Sequence, residues 1–183
     1  MKNLLANVFI VTGICMMIVS AFYLWQRYNP NRLAFSNVAI NTYSNKEDKL
    51  DLQPVSLSLS TLDINLSVFP ARVNEGRWET TTEGVSFLVS SATPGQNGNS
   101  VFYGHNYKNI LGNLAKAQPG DLIKIVLSDG TTRSYKIEYV QIVSPDQMGI
   151  LDPTNDERIT LYTCSGFLDS KRLVVTALPV LSI

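Results

Sequence analysis

The feature that most constrains this chain is a pair of β-rich runs joined by a short connection, with a cysteine closing the first and an arginine opening the second. In the first run, Arg158 to Thr163, the residues Ile159, Leu161 and Thr163 alternate with Thr160, Tyr162 and Cys164. That two-residue period predicts a half-buried strand. The second run, Leu173 to Leu178, is almost continuously apolar, which predicts a strand covered on both faces. Antiparallel pairing of the two puts Cys164 and Arg172 at the same end of a sheet, a thiolate beside a permanent cation. Each residue also has an ordinary reading. A strand-end cysteine is commonly a small buried hydrophobe, and a strand-start arginine is commonly solvated or in a weak ion pair. Lysine in place of Arg172 is expected to leave folding and melting little changed on either reading.

The same alternation runs through most of the upstream sequence. Val55, Leu57 and Leu59 alternate with Ser56, Ser58 and Ser60, and after Thr61-Leu62-Asp63 the pattern resumes at Ile64, Leu66 and Val68. Arg72 to Gly84 reads as irregular, Val85 to Val89 as a short strand, and Ser91 to Asn99 as a loop marked by Pro94-Gly95 and Gly98. Ser100 to Tyr103 is strand-like and ends at Gly104-His105-Asn106. Ile110, Leu111 and Leu114 then recur at helical spacing, with Asn109 as N-cap and Pro119-Gly120 as the stop. Leu122 to Leu127 and Tyr135 to Val143 form a hairpin across Asp129-Gly130. About eight short strands, one short helix and no βαβ rhythm predict an all-β fold, an antiparallel-rich barrel closed or nearly so.

A different physics governs the N-terminal stretch. Leu4 to Trp25 is 22 residues without a charge, enough as a helix to cross the ~30 Å hydrocarbon core of a bilayer. Tyr23, Trp25 and Tyr28 fall where an interfacial aromatic belt sits. The expectation is an N-terminal membrane anchor over residues 1–28, in a single pass. Val19-Ser20-Ala21 leaves a cleaved signal peptide as the competing reading, although the apolar run is longer than a usual signal core. Residues 29–53, Asn-rich and of mixed charge, read as a flexible spacer in which Phe35 to Ile40 is an apolar patch able to pack on the domain. The globular domain is expected over residues 54–183.

Charge excludes one function class. Over those residues 10 Lys/Arg stand against 12 Asp/Glu with no basic cluster, so nothing points to nucleic acid. Cysteine usage points the other way, toward chemistry. Cys15 lies inside the apolar span, which leaves Cys164 as the only thiol of the exported part. A thiol without a partner in an oxidising compartment is a liability unless it is buried or used. His105 is the only histidine, and like Cys164 it directly follows a predicted strand. Cysteine, histidine and arginine at strand ends are the parts of cysteine-based acyl transfer.

Several motifs sharpen this reading. They are Val101-Phe102-Tyr103-Gly104-His105, then Gln118-Pro119-Gly120-Asp121, then Thr160-Leu161-Tyr162-Thr163-Cys164, and finally Arg172-Leu173-Val174-Val175-Thr176-Ala177. In this combination, from about Pro54 to Ile183, the chain resembles the sortases, the membrane-anchored cysteine transpeptidases of bacterial cell surfaces. The resemblance implies an eight-stranded sortase-type barrel with a catalytic Cys164 as nucleophile, His105 as general acid and base, and Arg172 stabilising oxyanion or substrate, with Thr163 also implicated. It implies partners as well: surface proteins carrying a C-terminal sorting signal of Leu-Pro-Xaa-Thr-Gly type, and an amine acceptor on a cell-wall precursor or a pilin lysine. It implies an extracytoplasmic domain on the bacterial cell membrane. No cofactor is implied, and no convincing carboxylate cage for calcium is visible. The loops Ser90–Gln96 and Ser144–Leu151 are expected to border the substrate groove, with Met148, Ile150 and Leu151 as apolar contacts or, equally, as ordinary core. The same residues would serve a peptidase that hydrolyses its thioester, and a barrel with an inert site would be a binding module.

Overall fold

A computed structural model describes residues 2–27, 33–35, 52–74 and 77–180. Helix α1, Lys2–Arg27, carries the apolar span. Its side chains from Leu4 to Trp25 are exposed and its mean hydropathy over the most apolar window is 2.3, so it is long and apolar enough to cross a membrane.

The remaining chain is built from strands: β1 Pro54–Leu59, β2 Ile64–Ala71, β3 Val73–Asn74, β4 Arg77–Trp78, β5 Val85–Leu88, β6 Gly98–Gly104, β7 Leu122–Leu127, β8 Thr132–Val143, β9 Glu157–Ser165 and β10 Lys171–Pro179. Eight of them close a barrel in the order β1-β2-β5-β6-β9-β10-β8-β7. The β2–β5 and β6–β9 neighbours are parallel and the other pairs antiparallel. The all-β barrel expected from the alternation is therefore the fold observed. The β7–β8 hairpin turns where Asp129-Gly130 predicts it, with Gly130 at φ 85°.

Two apolar clusters follow from the alternation of side chains across each strand. Leu57, Leu66, Phe87, Phe102, Ile125, Ile137, Leu161 and Val175 belong to the barrel interior. Val101, Tyr103, Tyr162, Cys164 and Val174, their neighbours on the other face, join Trp78 and Leu151 in a second, outer cluster. This corrects the half-buried reading of the first run. Ile159 to Cys164 are all buried, because the outer face of β9 is covered as fully as its inner face.

Two further expectations change. The helix after Asn109 is a turn followed by a 3-10 helix, Gly112–Lys116, capped by Leu111 without a side-chain bond, and Asn109 is exposed. A 3-10 helix places residues three apart on one face, which is all that burying Leu111 and Leu114 requires. Gly112 makes the tight turn possible, since a Cβ there would lie 2.8 Å from the Tyr107 carbonyl oxygen. Arg72 to Gly84 is not wholly irregular, for β3 and β4 pair as a small ribbon that brings Trp78 onto the outer cluster. Of the expected spacer 29–53, only residues 33–35 and 52–53 are described. Leu33 and Phe35 are buried in the outer cluster, while the rest of the patch to Ile40 lies outside the described residues.

Candidate active site

Strand register brings the three singled-out residues to one end of the barrel. Cys164 and Arg172 are direct partners across the antiparallel β9–β10 pair. Residues so paired stand about 4.5–5.5 Å apart at Cα, with side chains on the same face. Gly104 and Thr163 are partners across the parallel β6–β9 pair, so His105 and Cys164 are the next residues along two neighbouring strands. All three are largely withdrawn from water, with fractional exposures of 8% for His105, 4% for Cys164 and 4% for Arg172.

The local chain explains how His105 is held. Thr163 Oγ1 donates to the Gly104 carbonyl at 2.7 Å, which ties the histidine strand to the cysteine strand one residue before each functional side chain. Leu111 N–H donates to the His105 carbonyl at 3.1 Å. Tyr107 stacks on the imidazole, with ring centroids 4.8 Å apart and planes 9° from parallel. Gly104 permits this fold-back, because a Cβ would press on Leu111 and Ile110 at 3.2 and 3.3 Å. Thr163 is itself buried, and its hydroxyl is engaged by the Gly104 carbonyl.

Arg172 is not the solvated strand-start residue that position alone suggests. Its Nη1 donates to the carbonyls of Asp169 and Lys171, both at 2.9 Å. Its Nη2 donates at 2.7 Å to the carbonyl of Ala34, 138 residues away in sequence. Nε is buried and makes no hydrogen bond among the described residues. The Phe35 ring lies over the guanidinium, 5.8 Å from Cζ to centroid, and meets Tyr162 edge-on at 5.0 Å. The guanidinium therefore divides. One side is fixed by its own turn, and the edge formed by Nε and Nη2 is met by a single peptide carbonyl. That edge is the planar pair of donors that suits a carbonyl or carboxylate oxygen.

Beside the cysteine the outer face is aromatic. Tyr103 and Tyr162 stack at 5.4 Å, and Trp78 meets both edge-on. The Tyr103 hydroxyl donates to the Glu79 carbonyl at 2.6 Å. Burial, and after it the nearby Glu79 charge, push this phenol well above its ordinary range, so it stays a neutral donor. The connection from Ser144 to Asp156 crosses this face lengthwise. Lys171 Nζ donates to Ser144 Oγ at its start, and Asn99 Nδ2 donates to the carbonyls of Ile150 and Asp152 further on. Its 3-10 helix, Met148–Leu151, buries Leu151 and half-buries Met148 and Ile150 in the cluster that contains Cys164. All three therefore pack against the outer cluster, as the core reading of these residues expects.

The loop Ser90–Gln96 lies toward the far end of β9 from Cys164. Gly95 N–H donates to Glu157 Oε1 at 3.1 Å, which fixes the loop at the first residue of β9. Cys164 is seven residues further along that strand, roughly 23 Å away. The motif readings also passed over Tyr107, Asp169 and the Ala34-Phe35 pair. Only Phe35 carried a sequence signal, as part of the one apolar patch in an otherwise polar stretch. Among the described residues no group of three or more His, Cys, Asp or Glu is gathered to hold a metal ion.

A thiol, an imidazole and a guanidinium gathered at one barrel end are groups that can attack a carbonyl carbon, protonate a leaving amine and hold the negative oxygen that forms. Known proteins bear on this arrangement directly. A search of curated proteins finds no match. Among solved structures, sortase A from Corynebacterium diphtheriae in a lid-mutant form is 26% identical, with 91% of this chain and 96% of that one aligned at a TM-score of 0.61. Listeria monocytogenes sortase A is 26% identical over 69% of this chain and 86% of its own, with a TM-score of 0.56. Clostridium perfringens sortase C with the C-terminal cell wall sorting motif is 20% identical over 78% and 86%, with a TM-score of 0.61, a likeness of fold. The family model described as the sortase domain matches residues 57–180, well over half of the chain and all of the closed barrel but the first three residues of β1. The chain accordingly belongs to the sortase family of cysteine transpeptidases.

Proposed function

We propose that this sortase cleaves a C-terminal sorting signal of Leu-Pro-Xaa-Thr-Gly type and transfers the protein ahead of the cut to an amine, on a cell-wall precursor or a pilin lysine. The observation that carries the reading is the register that sets Cys164 opposite Arg172 and next to His105 at one barrel end. Cys164 Sγ attacks the carbonyl carbon of the signal's threonine. The carbon–nitrogen bond to glycine breaks as His105 gives its proton to the leaving amine, and a thioester remains. The acceptor amine then attacks that carbonyl, His105 takes up the proton it loses, and the thiolate departs as the new amide forms. Arg172 holds the oxyanion of each step through Nε and Nη2, the edge not committed to its own turn. Thr163 keeps the two strand ends in register.

Substrate lies along the outer face. Met148 and Ile150, half-buried on that face, supply the apolar wall for the residues that precede the threonine, with Leu151 buried behind them. The sorting motif named with the Clostridium perfringens sortase C supports this class of ligand. Residues 1–28 serve as a single-pass anchor in the bacterial cell membrane, 29–53 as the spacer, and 54–183 as the catalytic domain on the extracytoplasmic side.

Full-length protein in detergent, incubated with Leu-Pro-Xaa-Thr-Gly peptides, should yield a covalent adduct on Cys164 lacking the peptide's glycine end. Added triglycine should convert that adduct to an amide product. Glycine release without any amide product would replace transfer by hydrolysis, and no adduct across a signal library would overturn the reading.

A further inference from the structure

The connection between β9 and β10 holds a conformation that its sequence does not favour. Gly166, Leu168 and Asp169 all have positive φ, at 77°, 53° and 57°. Glycine adopts this region freely and aspartate tolerates it, but leucine rarely does. Apolar packing does not hold the turn in place, for Phe167 is 79% exposed and Leu168 42%. Hydrogen bonds do. Asp169 and Ser170 N–H donate back to Gly166 and Phe167, each at 3.2 Å. Asn106 Nδ2, on the residue after His105, donates across 63 residues of sequence to Asp169 Oδ1 at 3.1 Å. The carbonyl of the same aspartate accepts from Arg172 Nη1 at 2.9 Å.

We propose that Asp169 is a positioning residue for the transfer reaction, its side chain anchoring the histidine-bearing connection through Asn106 while its backbone carbonyl anchors Arg172. The left-handed turn lets one residue serve both, because it directs the carbonyl toward β10 and the carboxylate toward the β6 side. The cysteine strand runs between them, with β6 on one side and β10 on the other. In this role Asp169 fixes the spacing of His105 and Arg172: the β9–β10 register reaches Arg172, but the β6–β9 register ends at Gly104 and Thr163, one residue short of His105. This inference rests on the proposed function.

The test uses full-length protein in detergent with Cys15→Ser throughout, so that Cys164 is the only thiol. Asn106→Ala and Asp169→Gly each remove the bridge, and glycine keeps the positive φ accessible. Both should lower kcat by about tenfold or more at little changed KM, the signature of misplaced reacting groups. The double variant should be no worse than the weaker single, because one bridge is lost once. Asp169→Asn keeps an acceptor oxygen and a tolerance for this backbone, and should restore kcat to within about twofold of the parent. Additive losses, an unrescued asparagine variant, or normal kcat in either single variant would overturn the role. If the parent protein itself cleaves no peptide, the proposed function fails separately, and iodoacetamide alkylation of Cys164 then decides. Alkylation about threefold or more slower in both bridge variants, with asparagine like the parent, supports the positioning role. Equal rates in all four overturn it.

Discussion

Replacing Arg172 by lysine keeps the charge and removes the geometry. Three backbone carbonyls accept from the guanidinium, those of Asp169 and Lys171 at Nη1 and that of Ala34 at Nη2. A lysine ammonium is a single point of donors and can stand at the Nη1 position or the Nη2 position, not both. At least one of these carbonyls then loses its partner in a setting where the arginine is 4% exposed. An unsatisfied buried acceptor costs about 1–3 kcal/mol. For a domain of this size that lowers the melting temperature by roughly 3–10 °C, well short of unfolding it at 25 °C. Loss of the Nε and Nη2 edge should lower turnover by about 10²-fold, the scale of one oxyanion donor. Thermal melting followed by circular dichroism reads the first effect, and cleavage of a quenched fluorescent signal peptide reads the second. A lysine variant with parental turnover would refute the oxyanion role. A variant with parental melting would refute the accounting of buried carbonyls.

Cys164→Ala should abolish adduct formation by mass spectrometry while leaving the circular dichroism spectrum unchanged, since only one sulfur atom leaves the outer cluster. His105→Ala should reduce turnover by at least about 10²-fold, the usual scale for a positioned acid or base, with residual Cys164 alkylation showing that the site remains folded. Phe35→Ala should speed iodoacetamide alkylation of Cys164. Burial of an aromatic side chain contributes about 1.5–3 kcal/mol, so its loss opens the docked 33–35 segment about 10- to 150-fold more often.

Strands were legible wherever alternation was clean. Val55 to Leu59, Ile64 to Val68 and the hairpin at Asp129-Gly130 all carry their pattern in neighbouring residues, and each forms where expected. Nothing local encodes the parallel β2–β5 and β6–β9 pairs, which join segments distant in sequence. Yet it is β6–β9 that puts His105 beside Cys164. The type of side chain marked the site before its geometry could be known, because a sole histidine and a sole thiol outside the apolar span narrow the choice by chemistry. Arg172 was legible in role but not in environment. Its burial comes from Phe35 and Ala34, more than a hundred residues away, and no pattern around Lys171 announces them. The helical spacing of Ile110, Leu111 and Leu114 misled because three residues cannot separate an α-helix from a 3-10 turn when Gly112 favours the tighter path.

The contact with Ala34 bears on how the proposed reaction must work. A peptide carbonyl already sits at Nη2 of Arg172, flanked by Leu33 and Phe35 in the apolar cluster that contains Cys164. A sorting signal presents the same kinds of group, a peptide carbonyl and apolar side chains from an extended chain. On the proposed function, a signal that reached Nη2 would enter in exchange for 33–35, and only the difference between the two sets of contacts would drive its binding. The oxyanion differs from both. A developing negative charge binds the guanidinium edge more strongly than any neutral carbonyl can, so the segment competes with the bound substrate far better than with the transition state. On the proposed function, Arg172 would thus discriminate where catalysis requires it, between the ground state that Ala34 can imitate and the charged state that it cannot.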